Sequence, residues 1–169
     1  MEKHTGKITF GGNPLTLVGS LVKIGDKAPD FTVLNSDLSP FSLNSTAGKV
    51  RIISVVPSID TGICDAQTRR FNQEAANLDV EILTISCDLP FALGRFCAAA
   101  GIDKVKTLSD HRDLDFGYKY GFVIEELRLL SRGIVIIDKN DVIKYVEYVA
   151  EVASHPNYDV AIAEAKKLL

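Results

Sequence analysis

Two seven-residue stretches of the chain, residues 50–56 (VRIISVV) and Val80–Ser86 (VEILTIS), are dominated by β-branched and apolar side chains. This pattern is typical of strands buried on both faces. An amphipathic helix is predicted after each strand. The second helix begins at Pro90 and ends at Gly101. The first has apolar residues at helical spacing, namely Ile63, Phe71, Ala75 and Leu78.

The second half of the chain has shorter and weaker patterns. They predict, in order, a strand near residues 105–108, a helix near 114–120, strands at 134–137 and 142–149, and a closing helix at 158–169. The turn residues Asp138, Lys139, Asn140 and Asp141 separate the last two strands, which predicts an antiparallel hairpin.

The first twenty residues predict a separate β-hairpin. Two β-type runs within residues 7–18 flank the turn cluster Gly11-Gly12-Asn13-Pro14, so we interpret residues 1–20 as a peripheral hairpin extension. No repeat or linker interrupts the 169 residues, which predicts one domain over residues 1–169. The order of elements predicts an α/β, thioredoxin-like fold with a mixed central sheet flanked by helices. A fold by itself assigns no chemistry.

Composition and charge exclude several classes of partner. The chain has 19 basic and 22 acidic residues, a net charge of −3 and no run of like charges, so we expect neither nucleic acid nor an anionic membrane as a partner. No stretch approaches the ~20 apolar residues of a membrane span. The opening MEKHTGKITF lacks the apolar core of a secretory signal. We therefore expect a cytoplasmic protein.

The three cysteines, Cys64, Cys87 and Cys97, do not form the close pairs that zinc sites use, and the three histidines are scattered along the chain. We therefore expect no metal and no cofactor. The absence of a C-x-x-C pair also argues against a thioredoxin-like disulfide exchanger. In the cytoplasm structural disulfides are rare, so each cysteine is interpreted either as a buried small residue or as a reactive thiol.

Cys64 has the sequence context of a reactive thiol. It follows the first buried strand, and Asp60 or Thr61 is a natural N-cap for the next helix. Cys64 therefore falls in the first helical turn, where unpaired N–H groups and the helix dipole favour the thiolate. Neither His111 nor His155 lies in a recognisable cysteine-hydrolase motif. Redox chemistry is thus favoured over acyl transfer.

Three motifs in this order resemble those of the peroxiredoxin family. Pro57, Thr61 and Cys64 form P-x-x-x-T-x-x-C, and the fuller PSIDTGIC resembles the active-site motif of the thiol peroxidase subfamily. The segment DLPFALGRFC, which ends at Cys97, is similar to the one that carries the resolving cysteine there. Leu-Ser-Arg at 130–132 is similar to the place of the active-site arginine. With GGNPLTLVG and Pro-Asn-Tyr near the two ends, the resemblance covers nearly the whole chain.

The resemblance implies an atypical two-cysteine peroxiredoxin that reduces hydrogen peroxide and organic hydroperoxides. Cys64 would be the peroxidatic nucleophile, and Cys97 would resolve its sulfenic acid as an intrachain disulfide. Thr61 would supply a hydroxyl donor, Arg132 a permanent cation and Pro57 the shape of the pocket. Thioredoxin as the reductant and a homodimeric assembly are also implied. The alternative is a redox sensor without enzymatic activity that switches through the same pair.

Two further expectations concern the cysteines. Cys87 ends a buried strand and matches no functional position, so we interpret it as structural. A disulfide needs Cα atoms ~4.4–6.8 Å apart, yet Cys64 and Cys97 fall on different predicted helices. We therefore expect the reduced form to hold the two sulfurs apart, and oxidation to melt the structure around one or both.

Overall fold

A computed structural model describes residues 1–75 and 77–169 of the chain. Its elements, in chain order, are β1 (Lys3–Phe10), β2 (Asn13–Val18), β3 (Thr32–Leu34), β4 (Pro40–Ser42), a 3-10 helix (Leu43–Thr46), β5 (Val50–Val55), α1 (Gly62–Ala75), β6 (Val80–Ser86), α2 (Pro90–Ala100), β7 (Val105–Ser109), α3 (Asp115–Tyr120), β8 (Val123–Ile124), β9 (Leu129–Leu130), β10 (Gly133–Ile137), β11 (Ile143–Tyr148) and α4 (Tyr158–Lys166).

A seven-stranded mixed sheet forms the centre of the molecule, with strand order β11-β10-β5-β6-β7-β3-β4. Strands β5, β6 and β7 are parallel, and β10 pairs antiparallel with β5. The predicted mixed sheet is thus confirmed. Every residue of β5 is buried, including Arg51, whose guanidinium donates to the carbonyls of Thr46 and Asp138 at 3.0 Å. These bonds and the ion pair with the Asp141 carboxylate compensate a charge that would otherwise be costly to bury.

Alternate residues of the central strands pack against different layers, as the two-residue period of a strand requires. Ile52 and Ile82 face α1, α2 and α4, where Phe71 and Ile162 complete one core cluster. Ile53 and its neighbours face α3 and a group of aromatic side chains, namely Phe31, Phe116, Tyr120 and Phe122. Within the described residues, no helix is both long enough and apolar enough to cross a bilayer.

The N-terminal hairpin is confirmed, and it belongs to a second sheet of order β1-β2-β8-β9. The first strand begins at Lys3, earlier than predicted. Strands β8 and β9 were not predicted, because two residues each are too few to show a period. They lie just before Arg132, and they pair so that Val123 is opposite Leu130.

The remaining differences from prediction are at two helix ends and in one short hairpin. Helix α1 ends at Ala75, so Leu78 lies in the turn that follows it. The closing helix ends at Lys166 instead of continuing to residue 169. The short β3–β4 hairpin was not predicted either. Gly101 ends α2 in the left-handed conformation, with φ of 67°, as predicted for a helix C-terminus.

Candidate active site

Cys64 lies in the first turn of α1, where the sequence placed it. Its side chain is fully buried and packs against Val56, Ile59 and Leu93. The Cys64 carbonyl accepts a hydrogen bond of 2.9 Å from the hydroxyl of Thr68, one turn further along the helix. The sulfur is therefore buried, with apolar side chains packed against it, at the end of the helix that favours negative charge.

Arg132 is the polar partner of this sulfur. It immediately precedes β10, is 3% exposed, and donates from Nη2 to Cys64 Sγ at 3.1 Å. The other two guanidinium nitrogens are also engaged, Nη1 with Gln67 Oε1 at 2.9 Å and Nε with the Val152 carbonyl at 2.8 Å. A guanidinium bonded at all three nitrogens keeps a fixed orientation. It brings a permanent positive charge to the sulfur, where it stabilises a thiolate.

Gln67 is a member of the site that the sequence motifs did not predict. Its Nε2 donates to Ser54 Oγ on β5 at 2.7 Å, and both side chains are fully buried. Gln67, on α1, thus links the guanidinium of Arg132 to Ser54 on β5. A signal was present in the sequence. Gln67 is three residues after Cys64, so the two share a helix face, and a polar residue on that buried face requires a partner.

Pro57, Thr61 and Arg132 line one cavity of about 340 Å³, together with Gly62 and Ile63. Pro57 and Thr61 of the first motif thus share a cavity with Arg132, and Arg132 in turn contacts the buried sulfur of Cys64. The Thr61 hydroxyl donates to the Ser58 carbonyl at 3.1 Å. Thr61 precedes the first helical residue, as an N-cap does, but in this conformation its proton points back into the loop, and the hydroxyl must rotate to donate to a substrate.

The loop that leads to Cys64 is fixed by Asp88, the first residue of the segment DLPFALGRFC, for which no role in the site was predicted. The Asp88 carboxylate accepts from Ser58 Oγ at 2.6 Å, from the Ile59 N–H at 2.8 Å and from Ser86 Oγ at 2.8 Å. Because Asp88 lies two residues before α2, these bonds connect the Cys64 loop to the start of the helix that carries Cys97.

Cys97 lies apart from this cavity. It is half-buried on α2, its sulfur is 3.2 Å from Thr107 Oγ1, and it packs with Phe96 against the core cluster around Ile52. Cys64 belongs to a different cluster, and both cysteines are free thiols. This arrangement agrees with the expectation that the reduced form keeps the two sulfurs apart.

Cys87 has the surroundings of a structural thiol. It follows β6, is half-buried, and packs against the larger core cluster. Burial raises its pKa to about 12, and the nearby carboxylate of Asp110 adds to the effect. A thiol with so high a pKa remains neutral and unreactive at neutral pH. Across residues 1–75 and 77–169, no group of three or more His, Cys, Asp or Glu side chains could hold a metal ion.

Comparison with known proteins agrees with this geometry. The sequence model of the Redoxin family matches residues 23–165. The chain is 65% identical to the thiol peroxidase of Halalkalibacterium halodurans over 163 residues, which cover 96% of this chain and 98% of that one. It is 60% identical to the thiol peroxidase of Bacillus subtilis over 164 residues, with coverage of 96% and 98%.

Solved structures give the same result for the fold. The peroxiredoxin-like protein of Aquifex aeolicus superposes with a TM-score of 0.91 at 37% identity, covering 98% of this chain and 99% of that one. The thiol peroxidase of Chromobacterium violaceum superposes with a TM-score of 0.84 over 95% of each chain, at 23% identity. These neighbours confirm the predicted thioredoxin-like fold. Since the family match spans most of the sequence and the relatives align over nearly their full length, the chain belongs to the Redoxin family, among the peroxidases of the peroxiredoxin type.

Proposed function

We propose that the chain reduces hydrogen peroxide and organic hydroperoxides through Cys64. The Cys64 thiolate attacks one peroxide oxygen, the O–O bond breaks, and the second oxygen leaves as hydroxide or alkoxide and takes up a proton. Sulfur is oxidised to the sulfenic acid, and the peroxide is reduced to water or an alcohol. The observation that carries this proposal is the 3.1 Å contact between Arg132 Nη2 and the buried Cys64 sulfur.

The side chains around the sulfur have distinct proposed roles. Arg132 stabilises negative charge on the thiolate before attack and on the peroxide oxygens as the O–O bond breaks. Thr61 donates its hydroxyl to the same oxygens after rotating away from Ser58. Pro57 forms a wall of the cavity and restricts access of water to the sulfenic acid. Gln67 does not touch the substrate and acts by holding Arg132.

In the second step of the proposed cycle the Cys97 thiol attacks the sulfenic sulfur of Cys64. An S–S bond forms, the S–O bond breaks, and the hydroxyl leaves as water. The two cysteines pack in different clusters of the reduced form, so local structure must open before the sulfurs can meet at disulfide distance. A resolved disulfide protects Cys64 from further oxidation to the sulfinic acid.

The proposed cycle closes when an external dithiol protein reduces the disulfide. We propose thioredoxin for this role and a homodimer as the assembly, both on the family resemblance. We also propose a cytoplasmic location. The three free cysteines support it, because a reducing compartment keeps such thiols available for the cycle.

Three single substitutions test the function. The purified protein is assayed for peroxide consumption with thioredoxin, thioredoxin reductase and NADPH. Cys64→Ser should abolish consumption. Cys97→Ser should permit one turnover and then accumulate sulfinic acid at Cys64, seen as a mass increase. Cys87→Ser, the matched control, should behave as the unsubstituted protein does.

The same assay separates an enzyme from a redox switch. A switch would form the Cys64–Cys97 disulfide with peroxide but would not sustain turnover with any dithiol reductant. Absence of peroxide consumption in the unsubstituted protein, or full activity in Cys64→Ser, would contradict the proposed function.

A further inference from the structure

The tip of the N-terminal hairpin forms part of the wall of the cavity beside Arg132. Phe10, the last residue of β1, lines this cavity together with Val152 and Ala153. The Phe10 side chain is also partly open to solvent, with 38% of the residue exposed. An apolar side chain from the hairpin therefore lines the same cavity as Arg132.

One carboxylate, that of Glu151, joins the hairpin tip to Ala153, which also lines the cavity. Its Oε1 accepts from the Thr9 hydroxyl at 2.9 Å and from the Gly12 N–H at 2.8 Å. Its Oε2 accepts from the Gly11 N–H at 3.1 Å and from the Ala153 N–H at 2.8 Å. These donors lower the pKa of Glu151 to about 2, so the side chain is ionised at neutral pH.

The glycine pair at the tip suits this contact. Gly11 and Gly12 both have positive φ, 59° and 82°, and successive N–H groups in such a turn form a concave site for an anion. The turn that the sequence predicted from Gly-Gly-Asn-Pro is therefore also the partner of Glu151.

The segment that carries Glu151 also contacts Arg132. The Val152 N–H donates to the Thr9 carbonyl at 2.8 Å, and the Val152 carbonyl accepts from Arg132 Nε at 2.8 Å. The Thr9 N–H donates in turn to the Ala150 carbonyl at 2.8 Å. The hairpin tip, residues 150–153 and the guanidinium thus form one hydrogen-bonded unit around the mouth of the cavity.

We propose that Glu151 is a positioning residue for substrate selection, which holds the hairpin tip so that Phe10 forms an apolar wall for the organic part of a hydroperoxide. This inference rests on the proposed peroxidase function. An aryl or alkyl hydroperoxide buries apolar surface against such a wall, whereas hydrogen peroxide has no organic part and gains nothing from it. Releasing the tip therefore weakens the reaction with organic hydroperoxides and spares the reaction with hydrogen peroxide.

The test is a single oxidation of the reduced protein, without reductant, that follows loss of the Cys64 thiol. Second-order rate constants are measured with cumene hydroperoxide and with hydrogen peroxide. Glu151→Gln replaces one of the two carboxylate oxygens by an NH₂ group. This group cannot accept the two hydrogen bonds that the replaced oxygen accepted. The rate constant with cumene hydroperoxide should fall roughly tenfold, the scale of one lost apolar contact, and that with hydrogen peroxide should be retained. A general loss of stability would not change the ratio of the two.

Glu126→Gln is the matched control. Glu126 accepts from the N–H and the hydroxyl of Thr16 at 2.9 and 3.0 Å, so it binds the same hairpin on β2, and it does not line the cavity. The substitution removes the same charge and should leave the ratio of rate constants unchanged. Phe10→Ala removes the wall itself and should shift the ratio in the same direction as Glu151→Gln.

Three results would overturn the proposal: unchanged rate constants with both peroxides in Glu151→Gln, an equal loss with both peroxides, or a faster reaction with cumene hydroperoxide. An equal loss would mean that Glu151 acts on Arg132 or on the fold as a whole. If the unsubstituted protein loses no Cys64 thiol with either peroxide, the proposed function fails and this inference fails with it, a result distinct from the other three.

Discussion

The two cysteines of the proposed cycle have very different surroundings. The Cys64 side of α1 is buried and polar, and Gln67, Thr68 and Arg132 all contribute hydrogen bonds there. Helix α2, which carries Cys97, has two buried residues, Pro90 and Leu93. Helix α1, which carries the nucleophile, is thus held by several buried hydrogen bonds. Helix α2, which carries the resolving thiol, is held by fewer buried contacts.

This difference refines the expectation that oxidation opens the structure around one or both cysteines. Opening α1 would break the buried hydrogen bonds of Gln67 and Arg132, whereas opening α2 exposes chiefly Leu93 and the half-buried face around Phe96. Elements with few buried contacts open at the lowest cost in free energy. We therefore expect α2 to move towards Cys64.

The largest effect is expected from removing the cation on the Cys64 side. Arg132→Met takes away the donor to the Cys64 sulfur and leaves Gln67 Oε1 and the Val152 carbonyl without theirs. The second-order rate constant for oxidation of Cys64 by peroxide should fall about 10²–10³-fold, as for loss of a donor that stabilises developing charge. Stopped-flow measurement of thiol loss provides the rate.

The control for this substitution is Arg112→Met, which removes an exposed arginine paired with Asp113. It should leave the rate unchanged. If Arg132→Met reacts with peroxide as fast as the unsubstituted protein, the residues fixed around Cys64 do not determine the rate of its oxidation.

Gln67→Leu tests whether rigidity on that side matters as well as charge. The substitution leaves Ser54 Oγ and Arg132 Nη1 without a buried partner, at a cost of ~1–3 kcal/mol. The rate constant for Cys64 oxidation should fall roughly tenfold, the effect of losing about 1.4 kcal/mol of the transition-state stabilisation that a well-oriented Arg132 provides. Gln67→Glu keeps an acceptor for Arg132 and should recover part of the rate. Equal rates for the two variants would contradict a role in holding the guanidinium.

Leu93→Ala tests the loosely held side. Leu93 is the α2 residue that packs against the Cys64 cluster, and its truncation should lower the free energy of unfolding by ~2–5 kcal/mol. If α2 is the segment that opens, disulfide formation after one equivalent of peroxide should become up to about tenfold faster. Quenched samples analysed by mass spectrometry should also contain less sulfinic acid at Cys64.

Leu83→Ala is the matched control, because Leu83 is fully buried in β6 and packs in the cluster on the other face of the sheet. It should lower stability by a similar amount without accelerating disulfide formation. Equal rates in Leu93→Ala and Leu83→Ala would show that α2 is not the element that moves.

The sequence predicted the position of Cys64 better than the position of the residues that surround it. Long strands such as β5 and β6 have clear patterns, so their position in a mixed sheet could be predicted, and helical spacing placed Cys64 in the first turn of α1. The position of Arg132 beside the sulfur could be inferred only from the family resemblance. The strands that lead to Arg132, β8 and β9, have two residues each and are too short to leave a pattern.

The contacts that complete the site arise from residues far apart in the chain. Glu151 binds Gly11 and Gly12, and Asp88 binds Ser58 and Ile59. Judged only by its neighbours in the sequence, an acidic side chain in a loop is expected to be exposed to solvent. The N–H and hydroxyl groups that donate hydrogen bonds to it are brought close only when the chain folds. Local patterns therefore predicted the elements and the nucleophile, whereas the residues that position them required the three-dimensional structure.

The smallest effect is expected at Cys87, which provides an internal reference for the other two cysteines. Its pKa of about 12 is above the usual ~8.5 of a free thiol. The stability gained by keeping this thiol neutral is complete below pH ~8.5 and is lost only as the pH rises towards 12. Between pH 6 and about 8.5, iodoacetamide should therefore leave Cys87 unmodified in the native protein and modify it in urea, as peptide mass spectrometry would show. Rapid labelling of native Cys87 would mean that the end of β6 opens as easily as α2. The contrast between a fixed core around Cys64 and a movable α2 would then no longer hold.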